Sequence, residues 1–454
     1  MEQSKNKELF ETMSVAKAVW TMITPTIIGQ LIILAYNMAD TFFIGLTDDP
    51  YMVAAASLIL PVFNITLSIA SIAGVGGGAL ISRLLGEYRE DEAKKVCSFS
   101  IWLSVGIAFL FSALIFLFMK PLLLFLGAGD NTFDFARSYA FCVIVLGGLP
   151  TILTNVLSNL VRSVGESEKA GFGVTLGGLV NIALDPLFMF VLLPKGQEIL
   201  GAGIATFLSN CISCLYFVVV MGKLRKTTVL SLLPISILPE KESIAKIFTV
   251  GMPSAIATLL FDVDYIIIDK LMSGYSDIAL AAIGIVLKAE RLPLNIGVGI
   301  CQGMVPIVAY NYAFGNFKRM KAIERFSLGI GIACALVSIA LYEIFAPQIM
   351  GIFISNAETV ELGTGFLRIR CLATIFMFMS FYHVHLFNGY GRGKEALFLG
   401  VLRWAGLNIP MLYFLNATIG MMGIVWSQMM ADILAVAVSI AVHHRFSKTY
   451  LKEE

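Results

Sequence analysis

Residues 16–45 read AKAVWTMITPTIIGQLIILAYNMADTFFIG, thirty positions that carry charge only at Lys17 and Asp40. A helix crossing the hydrocarbon core of a bilayer needs about 20 apolar residues. The stretch therefore predicts a membrane span, with Pro25 early in it and a lone acid near its other end. The same pattern recurs along the chain. Hydropathy places spans near 52–82, 95–119, 134–162, 170–193 and 201–222, then near 246–273, 278–312, 322–352, 360–389, 395–415 and 420–444. Strands of a membrane barrel would alternate in segments of about ten residues, whereas these runs are continuous. The expected fold class is an all-α integral membrane protein of twelve transmembrane helices.

Composition agrees. Hydrophobic residues make up 58% of the 454 positions and charged residues 14%. A soluble domain has about 45–50% apolar and about 25% charged residues. Net charge is +1, which gives no basic attraction to nucleic acid. The seven cysteines lie mostly inside apolar runs, so no extracellular disulfide framework is expected. Cys211 and Cys214 form a CxxC within a hydrophobic run, where core packing is the simpler reading than metal or redox chemistry. Met1 to Ser14 is polar and lacks a signal-peptide core, so the first span is expected to direct insertion.

Basic residues mark every second loop. They are Lys5, Lys7 and Lys17 at the N-terminus, then Arg83, Arg89, Lys94 and Lys95, then Arg162 and Lys169. The central connection has Lys223, Arg225, Lys226, Lys241 and Lys246, and later loops have Lys318, Arg319, Lys321, Arg325, Arg392 and Lys394. The tail adds Arg445, Lys448 and Lys452, while the intervening loops show only Lys120, Lys195 and Arg137. By the positive-inside rule both termini are expected in the cytoplasm of a bacterial inner membrane.

The two halves repeat at a shift of about 226–229 residues. Pro25 falls opposite Pro253, Asp40 opposite Asp269, and Gly86-Glu87 opposite Gly315-Asn316. Gly165 to Ala170 falls opposite Gly391 to Ala396. Six spans per half give repeats of parallel topology, a layout suited to alternating access. The expected organisation is an N-lobe at 1–222, a cytoplasmic connection at 223–245 and a C-lobe at 246–454.

Ionisable groups in hydrocarbon are costly and point to function. Asp40 and Asp185 stand without a cation near them in sequence. Asn181 and Asp185 are four apart and share a helix face. Pro186 removes the donor for the carbonyl four residues back, adding a polar spot. Such acids could take a proton or bind Na⁺; the plainer reading is a carboxyl group hydrogen-bonded to a helix. Pro25 could kink its helix, either as a moving part or as a static bend. The second half carries Asp262, Asp264, Asp269 and Lys270, then Lys288, Glu290 and Arg291, then Arg368, Arg370, His383 and His385. There, acids and bases nearly balance, and an interhelical charge network of Asp262, Asp264, Asp269, Lys288, Glu290 and Arg291 is expected. It could also relay protons. His383 and His385 are two apart, which argues against a shared metal site. Gly74-Val75-Gly76-Gly77-Gly78 follows an apolar helix and no Gly-Lys-Ser/Thr is present, so close helix packing is expected instead of phosphate binding. No Ser-His-Asp or HExxH arrangement marks an enzyme.

These stretches resemble the multidrug and toxin extrusion (MATE) family over the whole chain. The resemblance rests on Pro25 with Tyr36–Gly45, Pro61 with Gly74–Glu87, Asn155 to Gly165, Asn181 to Pro186, and Gln302 to Gly315. Within the family it resembles the bacterial MepA-like branch, near the DinF branch. The resemblance implies two six-helix lobes in a V and export of small organic cations in exchange for H⁺ or Na⁺, with no other cofactor. It implies that Asp40 and Asp185, with Asn181, couple the ion. It further implies that Tyr36, Asn155, Asn181 and Thr206 line a substrate cavity. NorM-type members place acids in spans seven and ten of the C-lobe. Here Asp262 lies one position off the first and Phe381 takes the second, which points to coupling in the N-lobe. A monomer is expected. The alternatives are a lipid-linked oligosaccharide flippase, which needs cationic cavity residues, and a membrane-embedded enzyme or receptor. The first-half spans carry acids and few buried Arg or Lys, which argues against the flippase.

Overall fold

The computed structural model describes residues 2–233 and 238–450, the first five of these (2–6) by their backbone alone. Lys452 and residues 234–237 of the central connection lie outside the described residues, as does the side chain of Lys5. Among the described residues every regular element is a helix.

A short α1 (Glu2–Glu11) precedes α2 (Val15–Gly45), α3 (Pro50–Gly86) and α4 (Glu90–Leu117). A short α5 (Met119–Phe125) leads to α6 (Asp130–Leu146) and α7 (Gly148–Ser163), then α8 (Ser167–Leu192) and α9 (Glu198–Leu224). The second half holds α10 (Lys241–Ser273), α11 (Asp277–Phe314), α12 (Phe317–Phe353), α13 (Ala357–Cys371) and α14 (Thr374–Gly389). It ends with α15 (Gly393–Ile419) and α16 (Met421–Tyr450).

Ten of these helices are long and apolar enough to cross a bilayer, and two bent pairs bring the number to twelve. Each expected span overlies one of them. The spans expected whole at 134–162 and 360–389 are each broken. α6 and α7 meet at 44°, and α13 and α14 at 45°. At the first break Pro150 has no N–H to offer the Leu146 carbonyl, and Gly147-Gly148 permits the turn. The last turns of α6 are π-helical, Phe141–Leu146, as are Leu187–Leu192 after Pro186 and Leu402–Asn408 in α15.

Local chemistry sets several ends. Asp49 accepts from the Tyr51 amide at the start of α3, Ser276 from Ala279 at α11, and Asn316 from Arg319 at α12. Gly315, at φ 81°, closes α11 in the left-handed conformation that a Cβ resists. Large apolar side chains such as Phe125, Val191 and Ile352 remain exposed, as a surface facing lipid requires.

The halves meet at one end, where α2 and α10 begin and the central connection runs; we call it the linker end. There Gly76 of α3 faces α10, so close that an added Cβ would lie 2.2 Å from the Ile247 carbonyl oxygen. Gly251 of α10 stands likewise against Ile72, at 1.9 Å. Gly299 and Gly303 of α11 take α2 at Ile27, Ile23 and Met22. Gly76 thus does what the glycine run was expected to do, packing backbone on backbone.

α1 bridges the same end. The Glu11 carboxylate accepts from Tyr310 Oη of the second half at 2.7 Å and from Tyr88 Oη of the first at 3.3 Å. Phe10 stacks on Tyr310 at 4.6 Å, and Arg319 donates to the Phe10 and Leu9 carbonyls. A hydrogen bond to a charged group contributes about 1.5–3 kcal/mol. Glu11→Ala is therefore expected to reduce closure of the linker end by about ten-fold or more. Distances between spin labels at Glu87 and Lys318 report this; an unchanged distribution would remove α1 as a clasp.

Candidate functional site

The first-half site is built where α8 lies against α2. Gly171 rests on Pro25, where a Cβ would meet its carbonyl at 2.4 Å, and Gly178 rests on Ile32 and Tyr36. These contacts, two turns apart, press the two helices together. Tyr36 and Asp40 share one face of α2, four residues apart. Asn181 and Asp185 share one face of α8 in the same way.

Asn181 Nδ2 donates to Asp185 Oδ1 at 3.2 Å and approaches Thr206 Oγ1 of α9 at 3.5 Å. Tyr139 Oη, from α6, approaches Asp40 Oδ2 at 3.5 Å. Asp40 and Asp185 lie within electrostatic reach of each other and of Tyr36. Asp185 and Asn181 are buried, and Asp40 is half-buried. Among the described residues three oxygens here are buried with no hydrogen-bond partner: Asp40 Oδ1, Asn181 Oδ1 and Asp185 Oδ2. Among the described residues neither carboxylate has a cation within ion-pair distance.

The structure thus gathers Tyr36, Asp40, Asn181, Asp185 and Thr206. Asn155 spends its amide on the Thr151 carbonyl of its own helix and joins no bond with them. Tyr139 was not anticipated; a tyrosine in an apolar helix gives no signal of its own. Pro25 lies inside an unbroken α2. Near it the Met22 carbonyl accepts from both Thr26 Oγ1 and Ser167 Oγ, at 2.8 and 2.6 Å. Among the described residues no group of three or more His, Cys, Asp or Glu side chains could hold a metal. Asp40 and Asp185 offer oxygens to a lone Na⁺ but do not form such a group.

The second half corrects the expected network. Lys288 and Asp269 are exposed and pair with none of the other members. Asp262 instead accepts from Asn64 of the first half at 2.9 Å, and Arg291 lies over the Tyr265 ring. Glu290 holds Arg370 through two bonds, at 2.7 and 2.9 Å. Asp264 accepts from Asn408 at 2.7 Å. Asn408 also reaches Gln428, which donates to Asp432, and Asp432 is gripped by Arg403 at 2.6 Å. The Arg403 guanidinium lies over Phe381 and Trp404. Arg403 and Asp432 were overlooked, although each is a charge inside an apolar run. Each half thus has a polar centre on related helices: in the second, Glu290 and Asp432 are paired with arginines while Asp264 has only the Asn408 amide, and in the first, among the described residues, neither acid has an arginine or lysine partner.

Removing one partner of a buried ion pair costs about 3–5 kcal/mol, because the other is left uncompensated. Arg403→Met is expected to lose about that much, read as a lower melting temperature of the purified protein. Arg403→Met combined with Asp432→Leu should recover most of it.

Twelve spans in two related bundles, with an uncompensated acidic centre in one, define a multi-pass membrane transporter. Residues 25–187 and 253–414 each match the MatE family, so the same unit occurs twice. The chain belongs to the MatE family. It is 28% identical to the multidrug export protein MepA of Staphylococcus aureus (strain MSSA476) over 433 residues, 95% of this chain and 94% of that one. It is 29% identical to MepA of Staphylococcus saprophyticus, over 96% of this chain and 95% of that one. An outward-facing multidrug resistance MATE transporter superposes with a TM-score of 0.92 at 22% identity, covering 99% of both chains. A transporter from Pyrococcus furiosus, described as having a binding pocket of reverse polarity, superposes at 0.89 and 22%, covering 98% of this chain and 99% of that one. The shared fold is that of MATE transporters, and these relatives are transporters, not enzymes.

Proposed function

We propose that this protein exports small organic cations across a bacterial inner membrane in exchange for H⁺ or Na⁺, as a multidrug antiporter with both termini in the cytoplasm. The observation that carries the reading is a buried acid, Asp185, near a half-buried one, Asp40, neither with a partner cation among the described residues. A buried charge is stable only when it is paired or neutralised. Asp40 and Asp185 therefore call for a cation: a proton, a sodium ion or the ammonium group of a solute. When these compete for one acidic centre, binding of either expels the other, which is antiport by linkage. The MepA relatives, named as multidrug export proteins, support the same direction of transport.

The test is ethidium efflux from proteoliposomes under an imposed pH gradient or an imposed Na⁺ gradient, one at a time. Efflux driven by one of them is expected. Efflux driven by neither removes the antiport reading.

A further inference from the structure

A cavity with mostly apolar walls and a few polar side chains lies between the halves near the linker end, and neither Asp40 nor Asp185 lines it. It encloses about 180 Å³. The first half contributes Asn159, Arg162 and Ser163, and the second contributes Gln302, His385 and Asn388. No acid lines it. Arg162 is 5% exposed; its Nη1 donates to Asn159 Oδ1 at 3.1 Å, and its Nε has no partner among the described residues. Gln302 accepts from Gln30 through Oε1, which leaves its amide NH₂ for the cavity. Arg83, one turn beyond the lining residue Ala79, is also buried, with Nη2 unpartnered, and lies against Gly391 of the second half. Neither guanidinium has a carboxylate within ion-pair distance among the described residues. Counted as loop charges in first-half spans expected to hold few buried Arg or Lys, both are instead buried within helices, which corrects that expectation and removes its weight against the flippase reading.

An unpaired buried guanidinium is costly, and its fork of N–H donors matches a planar or tetrahedral oxyanion. We propose that this cavity is a binding site for a phosphate- or carboxylate-type oxyanion, held by Arg162 with Gln302 across the closed halves. Such a ligand touches both halves at once and so favours closure of the linker end. The site is independent of the cation-export reading, and its test does not depend on transport.

Melting of the full-length protein in nanodiscs of neutral lipid is followed against inorganic phosphate at constant ionic strength, and separately with phosphatidic acid in the disc. A saturable rise with phosphate marks a soluble oxyanion; a rise with phosphatidic acid alone marks a lipid headgroup. In either arm, Arg162→Gln is expected to weaken the response at least ten-fold, and Arg162→Lys to retain part of it. Gln302→Leu, a neutral change, should weaken it without removing it and serves if Arg162→Gln does not fold. No response in the wild type to either probe, or an undiminished response in Arg162→Gln or Gln302→Leu, overturns the proposal.

Discussion

Asp185→Asn and Asp40→Asn are each expected to reduce cation efflux to background while leaving protein in the membrane at normal levels. Asparagine is nearly isosteric with aspartate, so the Asn181 Nδ2 to Asp185 Oδ1 bond at 3.2 Å can persist. What disappears is the charge, and with it the difference between an empty and a neutralised site. Asp185→Glu keeps the charge and should retain measurable efflux. Ethidium efflux from vesicles decides the matter, with western blotting for protein level. Wild-type rates in both asparagine variants would sink the mechanism.

Gly251→Ala is the second large effect, and it acts through shape. Its Cβ would lie 1.9 Å from the Ile72 carbonyl oxygen and 2.6 Å from its carbon. Those atoms belong to the backbone of α3, so the clash is relieved only by moving one helix off the other. Overpacking of this kind costs about 1–3 kcal/mol. The state closed at the linker end should fall about ten- to hundred-fold in population, and transport with it. Gly222→Ala, where nothing lies within 4 Å of the added methyl, is the control. The reading fails if spin-label distances across the linker end match the wild type.

Much of this was readable in the chain. Each expected span overlies a helix, because twenty apolar residues leave few other solutions. The ends fell short where helices run on past the apolar window, as α3 does through Arg83 to Gly86. Asp40 and Asp185 stood out because a charge in an apolar helix has a high cost. Their meeting with Tyr139 did not, since it depends on how α6 packs. The exposure of Asp269 and Lys288 was hidden for a related reason. A balanced list of charges says nothing about which helix face each occupies. The Asp262–Asn64 bond crosses between halves, and no spacing within one half could announce it.

The two broken spans have a further meaning. Their bends are 44° and 45°, and they fall at matching places in the two repeats. The first has Gly147, Gly148 and Pro150 to explain it, while the second runs through Cys371-Leu372-Ala373-Thr374 with neither glycine nor proline. A shape shared by both copies, but marked in the residues of only one, does not need glycine or proline to form. In the second copy the angle is held by the packing of neighbouring helices. Introducing glycine there should change the spelling of the bend and leave its geometry alone.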